Sequence, residues 1–373
     1  MIKKDLMAII NLNEDNISGR ELIEKRPLAC LPIGGRYRVI DFILSNLSNS
    51  GIGNIGIFSQ RKTRSLYDHI GDGVSWDLSS IIDGLFVFSH QYEIYEKPVR
   101  GDIYTIYENI DYIEKSTQEY ILITSSNMIY SINFGEMFKS HLESGKEITV
   151  LYTEIENADK TFFKNSTLNI KGNIINSIGV NLCGEKNQNI SLECFIMKKD
   201  YFLDLIYSNI ENGEHQYILD AISAKLIGAD MNLYRFDGYV KCIQNISSYV
   251  EFSKDILDYN IYKELFKNPK NLIYTKVKNE APTYFSYDSN VKNSIVSSGC
   301  IIEGTVKDSV ISRRVIIGKG AVVENSIILQ NTVIEENSYL KHVICDKNTR
   351  ITHGKKMIGD FNMPIVIAKG ETI

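Results

Sequence analysis

Short polar segments follow three apolar stretches in the N-terminal part of this 373-residue chain. The stretches end at Ile10, Ser59 and Thr124, and each has the length and composition of a buried strand. In an open α/β sheet, ligands bind beyond the carboxyl ends of the strands. We therefore expect ligand binding, or a reaction on a bound ligand, at the residues that follow these three positions.

The cysteines offer no such chemistry, because none of them has C-x-x-C or C-x-x-H spacing. This pattern fits neither a zinc cage nor a disulfide framework. We expect buried thiols in a reducing compartment. The N-terminus has no signal-peptide core and no 18-residue apolar run follows, so we expect a cytoplasmic protein. The six cysteines are Cys30, Cys183, Cys194, Cys242, Cys300 and Cys345.

Composition excludes several other classes of protein. Hydrophobic residues make up 43% and charged residues 23% of the chain, close to globular averages, which excludes a disordered or collagen-like chain. The formal net charge is −5, and no long basic run is present. The sequence therefore argues against a nucleic-acid partner.

The elements that must position the polar segments fall into two halves. Up to about residue 275, apolar runs alternate with amphipathic stretches, as in βαβ units of an α/β domain. We expect Asp41 to cap a helix over 42–49 and Asn133 to cap a helix over 134–143, while Asp102 caps a helix that ends at Lys115. The strands are predicted at 6–10, 55–59, 85–88, 120–124, 148–153 and 232–236.

From about residue 283 the pattern changes to a period of six. Two neighbouring series of aliphatic or aromatic residues show this period, one from Val315 to Tyr339 and one from Ile316 to Leu340. This period is typical of the hexapeptide parallel β-helix. Spacing of five between Val291 and Ile311 predicts turns of irregular length upstream. We therefore predict an α/β domain over 1–275, a linker, and a hexapeptide-repeat β-helix over 283–373.

This layout and several strings resemble one family. The string from Pro32 to Phe42, with Leu44-Ser45-Asn46 and Asn49-Ser50-Gly51-Ile52, resembles a block of bacterial ADP-glucose pyrophosphorylases (glucose-1-phosphate adenylyltransferases). The segment 70–78 and the C-terminal string 296–306 are also similar to that family. The resemblance implies a Rossmann-like nucleotidyltransferase domain followed by a left-handed parallel β-helix.

The resemblance also places the family's phosphate loop on residues that have lost its chemistry. The family has a Gly-Gly-x-Gly-x-Arg loop, whose glycines let backbone N–H groups approach a triphosphate. Glu14 introduces a carboxylate that faces the polyphosphate, so we expect this loop to hold ATP poorly. The corresponding residues of this chain are Asn13, Glu14, Asn16 and Ser18.

The family's metal site is altered as well. Asn127 stands where the family's Ser-Gly-Asp-His string has its aspartate, and Cys242 stands at the second metal carboxylate. Leu28 falls at the position of a family lysine. Magnesium needs carboxylates and substrate phosphates at octahedral geometry. We therefore expect no intact catalytic residue, no metal site and no cofactor in this chain, with Mg²⁺ bound only by a catalytic partner.

Other positions are remnants of the family's substrate and nucleotide site. Gln60 matches a position near the adenine. Glu193 lies in the altered string Ser191-Leu192-Glu193-Cys194-Phe195, which corresponds to the family's S-x-G-I-Y. With the phosphate-loop residues Asn13, Glu14 and Asn16, the full set of remnants includes Gly35, Gln60, Gly101, Glu193 and Asp220.

Basic residues are retained where the family binds an activating sugar phosphate. The resemblance places Arg38 at an effector-binding arginine, and Arg36 and Lys25 are candidates for the same anion site. The pair Arg313-Arg314 interrupts the six-residue repeat. It predicts an outward turn and adds two candidates for the effector site.

A chain that keeps the family's scaffold but has lost its phosphate-loop and metal-binding residues resembles the GlgD type of subunit in this family. That resemblance implies a non-catalytic regulatory subunit of glucose-1-phosphate adenylyltransferase, in a heterotetramer with the catalytic subunit for glycogen biosynthesis. Two alternatives remain open. The chain could itself be an active sugar-1-phosphate nucleotidyltransferase with a rewired site, or a stand-alone sugar-phosphate sensor.

Overall fold

A computed structural model describes residues 2–12, 20–24, 26–59, 63–80, 83–89 and 101–373. The chain forms two compact units. The first comprises Met1–Asn13, Ile43–Thr63 and Ile70–Cys242, and the second comprises Glu14–Phe42, Arg64–His69 and Ile243–Ile373. The boundaries predicted at 275 and 283 follow the repeat pattern along the chain, whereas these units follow contacts in space. The segment that carries Arg36 and Arg38 therefore groups with the C-terminal part of the chain.

Ten α-helices occur in the described residues. None of the helices in this part of the chain is long and apolar enough to span a bilayer. They are α1 (Ile2–Asp5), α2 (Val39–Asn49), α3 (Arg64–Ile70), α4 (Asp102–Glu108), α5 (Ile110–Glu114), α6 (Phe134–Ser144), α7 (Lys199–Asn212), α8 (Ile218–Leu226), α9 (Ile246–Asp255) and α10 (Tyr259–Phe266).

The strands before residue 243 build the sheet of the first unit and two small ribbons. They are β1 (Leu6–Leu12), β2 (Pro32–Ile33), β3 (Tyr37–Arg38), β4 (Asn54–Ser59), β5 (Gly84–Ser89), β6 (Tyr120–Ser125), β7 (Met128–Ile129), β8 (Ile148–Ile155), β9 (Ser166–Lys171), β10 (Ile174–Val180), β11 (Gln188–Lys198), β12 (Asn232–Arg235) and β13 (Lys241–Cys242).

The sheet of the first unit has β1 at its centre, between β4 and β6. All seven residues of β1 are buried, which explains its continuous apolar sequence, since central parallel strands are covered on both faces. The pairs β1–β4, β1–β6 and β4–β5 are parallel. The carboxyl ends of β1, β4 and β6 therefore meet at one edge of the sheet, and all six predicted strands are present with small differences in length.

An antiparallel part of the sheet was missed by the sequence analysis. β11 pairs antiparallel with β6 and β8, and β9 pairs antiparallel with β10. β10 is largely exposed and β9 is mostly half-buried, so both lack the apolar runs on which the strand predictions depended. The prediction of βαβ units therefore described this part of the sheet incompletely.

The predicted helix caps have mixed outcomes. Asn133 caps α6, and its side chain accepts a hydrogen bond from the backbone N–H of Gly135 at 2.8 Å. Asp41 was wrongly predicted as the cap of α2, because that helix begins at Val39. The Asp41 carboxylate instead accepts the backbone N–H of Arg38 at 2.9 Å, from inside the first turn. Asp102 is likewise the first residue of α4 rather than its cap.

The C-terminal strands form three parallel sheets that wind into a left-handed β-helix, as the six-residue period predicted. Strands at every third position pair, for example β14 with β17, and β17 with β20. The strands are β14 (Tyr284–Phe285), β15 (Asn290–Lys292), β16 (Ile295–Val296), β17 (Ile301–Ile302), β18 (Thr305–Lys307), β19 (Val310–Ile311), β20 (Ile316–Ile317), β21 (Val322–Glu324), β22 (Ile327–Ile328), β23 (Val333–Ile334), β24 (Tyr339–Lys341), β25 (Val343–Cys345), β26 (Arg350–Ile351), β27 (Lys356–Ile358) and β28 (Ile365–Ile367).

The coils differ in length, as the irregular upstream spacing predicted. Ile301 pairs with Ile316, which pairs with Val333, so one coil takes 15 residues and the next takes 17. Corners are made by residues with positive φ, and one corner stacks Asn293, Asp308, Asn325 and His342. Asparagine and aspartate tolerate this left-handed backbone better than most residues.

Each unit has its own hydrophobic core. In the β-helix the inward residues include Ile317, Val323, Ile328 and Leu340, all inaccessible to solvent. Ile316, a member of one six-residue series, is instead 37% exposed. Coils of 17 residues explain this difference, because a strict period of six would need 18 residues for three sides.

Candidate functional site

The structure brings the two predicted metal positions together at the carboxyl end of β6. Asn127 follows that strand and directly precedes Met128 of β7. Cys242 lies opposite Met128 in the antiparallel pair of β13 with β7. The two residues are 115 positions apart in the chain yet share one site.

Hydrogen bonds hold both side chains in place. Ser125 Oγ donates to Asn127 Oδ1 at 2.8 Å. Asn165 Nδ2 donates to Cys242 Sγ at 3.4 Å. Burial, followed by the charge of Glu193, raises the pKa of the Cys242 thiol to about 12, so this thiol stays protonated and unreactive at neutral pH.

These donors do not fit magnesium. Mg²⁺ takes hard oxygen ligands, mainly carboxylates and phosphates, whereas the site offers a neutral amide and a protonated thiol. Thiolates select soft metals rather than Mg²⁺. No catalytic step through a magnesium ion can be derived at this site.

Glu193 borders the same site from β11. The pairing of β11 with β8 shifts register between Ser191 and Cys194, which leaves a bulge that contains Glu193. Its φ of 51° lies in the left-handed region, which glutamate rarely adopts. Burial raises the pKa of its carboxyl group, while a hydrogen bond with Ser125 lowers it.

Other predicted remnants lie in different surroundings. The backbone of Gly101 packs so closely on Gln216 that a Cβ would collide with the Gln216 carbonyl. Asp102 binds both the Asn11 side chain at 2.6 Å and the backbone N–H of Ile218 at 2.7 Å. Asp220 is exposed in the first turn of α8. Gly101 thus has a structural reason to be glycine, and Asp220 has no described ligand-binding contact.

Several predicted residues lie outside the described residues, including the phosphate loop, one effector candidate and the adenine-site candidate. They are Asn13, Glu14, Asn16, Ser18, Lys25 and Gln60. Leu28, at the position of the family lysine, is buried in a short 3-10 helix over Leu28–Cys30.

A second candidate site is a cavity of the second unit, which we call the basic cluster. It is defined by the cations Arg36, Arg38, Lys276, Lys278, Arg313 and Lys347, together with His69. Each nearby carboxylate has a partner, and for two of them that partner, Arg314 or Arg26, does not line the cavity. Asp41 Oδ1 lies 2.5 Å from His69 Nε2, Glu280 pairs with Arg314, and Asp346 pairs with Arg26. The cavity therefore has a strong excess of positive charge.

The crowding of cations shifts several of their pKa values. Burial, and then the charges of Arg38 and Arg26, lowers the pKa of Lys347 to about 7. Burial and Arg313 lower the pKa of Lys278, and burial and Arg36 lower that of Arg313. An anion in this cavity would relieve the mutual repulsion, so the arrangement is suited to bind one.

The predicted effector residues divide into two groups. Arg38 Nη1 donates to the backbone carbonyl of Ser65 at 2.7 Å, and Arg36 stacks on Tyr37 with its guanidinium 4.8 Å from the ring centre. Both line the basic cluster, as does Arg313. Arg314 lies at a corner with φ of 56° and donates to Glu280 at 2.5 Å. The predicted outward turn at Arg313-Arg314 is confirmed.

Gly35 also lines the basic cluster, although the sequence analysis assigned it to the nucleotide site. Its φ is +79°, and a Cβ there would lie 2.5 Å from Ser297 Oγ. Four further lining residues were not predicted from the sequence: His69, Lys276, Lys278 and Lys347. Since these residues are scattered over 279 positions, only the paired basic residues at 276 and 278 gave a local signal.

The fold and the first site define a nucleotidyltransferase-type protein. Residues 21–164 match the Nucleotidyl transferase family, and residues 282–362 match the family of GlmU-like, C-terminal hexapeptide domains. The first match includes β2 to β8 and Asn127, and the second includes β14 to β27.

Curated relatives narrow the class to one family. The chain is 31% identical to the glycogen biosynthesis protein GlgD of Bacillus subtilis over 370 residues, which cover 99% of this chain and 97% of that protein. It is 34% identical to GlgD of Geobacillus stearothermophilus over 81% of this chain and 78% of the relative. The chain is also 30% identical to a glucose-1-phosphate adenylyltransferase of Fervidobacterium nodosum, over 91% of this chain and 82% of that protein. The chain belongs to the family of GlgD proteins and glucose-1-phosphate adenylyltransferases.

Proposed function

We propose that this chain is a non-catalytic regulatory subunit of glucose-1-phosphate adenylyltransferase in glycogen biosynthesis, and that it works in the cytoplasm. The catalytic relative would convert ATP and glucose 1-phosphate to ADP-glucose and diphosphate. The relatives named GlgD and glucose-1-phosphate adenylyltransferase support the pathway and the partner.

One observation carries the proposal. The family scaffold is kept around β6, β7 and β13, but an amide and a protonated thiol stand at the two metal positions, Asn127 and Cys242. A bound metal that stabilises the transition state of phosphoryl transfer by several kcal/mol raises the rate about a thousandfold or more. We accordingly propose that this chain binds no Mg²⁺ and that the catalytic partner does.

The β-helix supports a partner in physical terms. Its first coil has inward positions that no further coil covers, and Phe285 and Val291 are 49% and 36% exposed there. Their counterparts one coil later, Ile302 and Val306, are inaccessible. Open ends of solenoids need a cap. A catalytic subunit in a heterotetramer would provide it.

The basic cluster supports a regulatory role. Its cations would bind the phosphate groups of an effector such as a sugar phosphate, with Arg36, Arg38 and Arg313 as principal contacts. The same cluster would serve a stand-alone sugar-phosphate sensor, which is the second candidate function. The two candidates differ in whether the chain forms a complex.

The test is to purify this chain alone and after co-expression with the catalytic relative. Alone, it should release pyrophosphate from ATP and glucose 1-phosphate at least about a thousandfold more slowly than the catalytic subunit. Co-expression should give one species of about four chains by light scattering. Turnover comparable to the catalytic subunit would overturn the proposal, and two species that elute separately at micromolar concentration would favour the sensor.

A further inference from the structure

Another cavity of the second unit lies between α9, the turn that follows it, and one corner of the β-helix, and we call it the corner pocket. Its volume is about 540 Å³, within the range of small-molecule sites. All of its lining residues belong to the second unit, and none of them lines the basic cluster. The corner pocket is therefore separate from both sites described above.

One wall of the corner pocket is a row of corner residues from four successive coils: Asn293, Asp308, Asn325 and His342. The strands that lead into these corners pair in parallel and lie about 4.8 Å apart, so the four side chains repeat at nearly equal intervals. Asn293 Nδ2 donates to Asp308 Oδ1 at 2.6 Å. Within the described residues, the amide of Asn325 and the ring nitrogens of His342 make no hydrogen bond, so both are available to a ligand.

The floor of the corner pocket is apolar. Val310 and Ile327, the first residues of two paired strands, are buried there. Val250 of α9 and Leu257 of the following turn add half-buried aliphatic surface to the lining. A ligand in this pocket would therefore contact aliphatic groups on one side and polar corner residues on another.

An aromatic ring completes the lining. Phe361 is 42% exposed, and its ring lies edge-on to the His342 ring, with 6.0 Å between the ring centres. Lys254 Nζ lies 5.0 Å from the centre of the same ring. These two contacts hold Phe361 in place, and its exposed part offers a flat apolar platform.

The charges of the lining restrict the class of ligand. Among the described lining residues, Asp258 and Asp308 are acidic and Lys254 is the one lysine or arginine. A phosphate group would be repelled by two carboxylates, and the ammonium group of Lys254 is already placed over Phe361. The described residues also contain no group of three acids, histidines or cysteines that could hold a metal ion. Three lysines precede corner residues in the chain without lining the pocket: Lys292, Lys307 and Lys341.

We propose that the corner pocket binds a neutral oligosaccharide built of pyranose units. A pyranose ring has an apolar face of C–H groups, which packs on Phe361 and the aliphatic floor. Its hydroxyl groups each donate and accept, so they donate to the Asp308 carboxylate and accept from the Asn325 amide. The evenly spaced corner residues suit a chain whose hydroxyls repeat from one sugar to the next. This inference goes beyond the proposed function and does not depend on it.

The test is titration calorimetry of the full-length chain with maltotriose and with cellotriose, two neutral trisaccharides that differ in linkage. At least one should bind, and the comparison shows which linkage the pocket accepts. Phe361→Ala removes the aromatic platform and should weaken that binding about tenfold. Asn325→Gly removes one amide contact and should weaken it about fivefold.

The glycine variant has a matched control in the same β-helix. Asn325 and Asn337 are both exposed asparagines at corners, with φ of 46° and 58°, and glycine adopts this conformation without steric cost. Asn337 does not line the corner pocket. Asn337→Gly should therefore bind the trisaccharide as tightly as wild type, and both glycine variants should keep the wild-type circular dichroism spectrum.

A second readout locates the binding. The trisaccharide should shift the NMR resonances of the His342 ring and leave those of His353, which does not line the pocket, unchanged. Glucose 1-phosphate should leave the His342 resonances unchanged, because its phosphate would be repelled by Asp258 and Asp308.

Three results would overturn the inference. They are the failure of both trisaccharides to bind the folded wild-type chain, wild-type affinity in both Phe361→Ala and Asn325→Gly, and a His342 shift with glucose 1-phosphate as large as with the trisaccharide. The outcome is separable from that of the proposed function, since these measurements use this chain alone and involve no turnover. A chain that released pyrophosphate rapidly or formed no complex would contradict the proposed function and leave the sugar-binding comparison intact.

Discussion

The guanidinium of Arg26 pairs with the carboxylate of Asp346, 320 positions further along the chain. The two side chains are 8% and 1% exposed, and Arg26 Nε also donates to the carbonyl of Leu22 at 2.8 Å. The ion pair thus holds the segment before β2 against the coil that carries Lys347. Because both charges are buried, removal of one leaves the other without compensation.

Asp346→Asn should therefore lower the free energy of unfolding by about 3–5 kcal/mol, the range for breaking a buried ion pair. Lys115→Met is the matched control, since the Lys115–Asp111 pair is exposed on both sides and exposed ion pairs contribute little to stability. Urea unfolding of both variants measures the difference. Equal losses would show that Arg26 and Asp346 are solvated.

The register of the β-helix predicts opposite effects for adjacent isoleucines. Ile317 is inaccessible and points inward, while Ile316 is 37% exposed and points outward. Ile317→Ala should cost about 2–5 kcal/mol of stability, because it leaves a cavity in the coil. Ile316→Ala should cost under about 1 kcal/mol. Thermal unfolding checks the pair, and a larger loss for Ile316→Ala would place the register one residue away.

The sequence predicted the coils of the β-helix but not their register. The period of six predicted the coils because inward aliphatic side chains recur once for each side. It could not predict which side chains point inward, since coil length depends on corners such as Asn325 and His342, where single residues adopt positive φ. Likewise β9 and β10 were not predicted, because half-buried and exposed strands need no apolar run.

The sites were predictable to different degrees. Asn127 and Cys242 could be predicted as altered metal positions from local sequence strings. Their proximity in the structure follows from the pairing of β7 with β13. The basic cluster was only partly predictable. Arg36 and Arg38 belong to a recognisable string, but Lys276 and Lys347 reach the same cavity only through the three-dimensional fold.

Anion binding should depend on Arg313 and not on its neighbour Arg314. Arg313 lines the basic cluster, whereas Arg314 is ion-paired with Glu280. Loss of one hydrogen bond to a charged group corresponds to about 1.5–3 kcal/mol, so Arg313→Ala or Arg38→Ala should weaken sulfate binding at least tenfold. Arg314→Ala should leave it within about twofold of wild type. Titration calorimetry measures all three, and equal losses at 313 and 314 would contradict the assignment of the cavity.

The same binding should weaken as pH rises. The pKa of Lys347 is lowered to about 7 by burial and by Arg38, Arg26 and Lys278, against the opposing charge of Asp346. Below pH 7 the lysine is charged and attracts an anion, and above pH 7 it is neutral. Burial also lowers the pKa of His69, despite the hydrogen bond to Asp41. The imidazole ring is therefore neutral over most of the range from pH 6 to pH 8.5.

Sulfate is a suitable probe because it stays dianionic between pH 6 and pH 8.5. Its affinity for the wild-type chain should fall by about tenfold over this range, the effect of one lost charge-assisted contact. Lys347→Met should bind more weakly at pH 6 and show a nearly flat profile. A wild-type profile that is already flat would mean that Lys347 keeps one charge state in the cavity.

The Lys347 charge should also leave a signature in stability. An unfolded lysine titrates near 10.4, so between about pH 7 and pH 10 the unfolded chain binds a proton that the folded chain does not. The contribution of Lys347 to the free energy of unfolding therefore rises with pH over this window and is lost as pH falls through 7. The difference between wild type and Lys347→Met in urea unfolding, measured at pH 6 and pH 9, should show wild type gaining relative to the variant at pH 9.

Restoring the two metal carboxylates should not restore catalysis by itself. Asn127→Asp with Cys242→Asp would place two carboxylates beside Glu193, whose pKa is already raised by burial. Three acids in one enclosed site repel each other, so at least one would stay protonated and Mg²⁺ would bind weakly. At a 4 Å separation and an effective dielectric near 20, one like-charge pair costs roughly 4 kcal/mol.

The double variant should therefore release pyrophosphate no faster than wild type, and the triple variant with Glu193→Gly should bind Mg²⁺ more tightly than the double variant. Isothermal titration with Mg²⁺ and a pyrophosphate assay measure the two effects separately. The resemblance to the family places Glu14 in the phosphate loop; we expect its carboxylate to repel ATP in both variants, so neither should approach the rate of the catalytic relative. Full activity in the double variant would show that Asn127 and Cys242 alone had silenced the site.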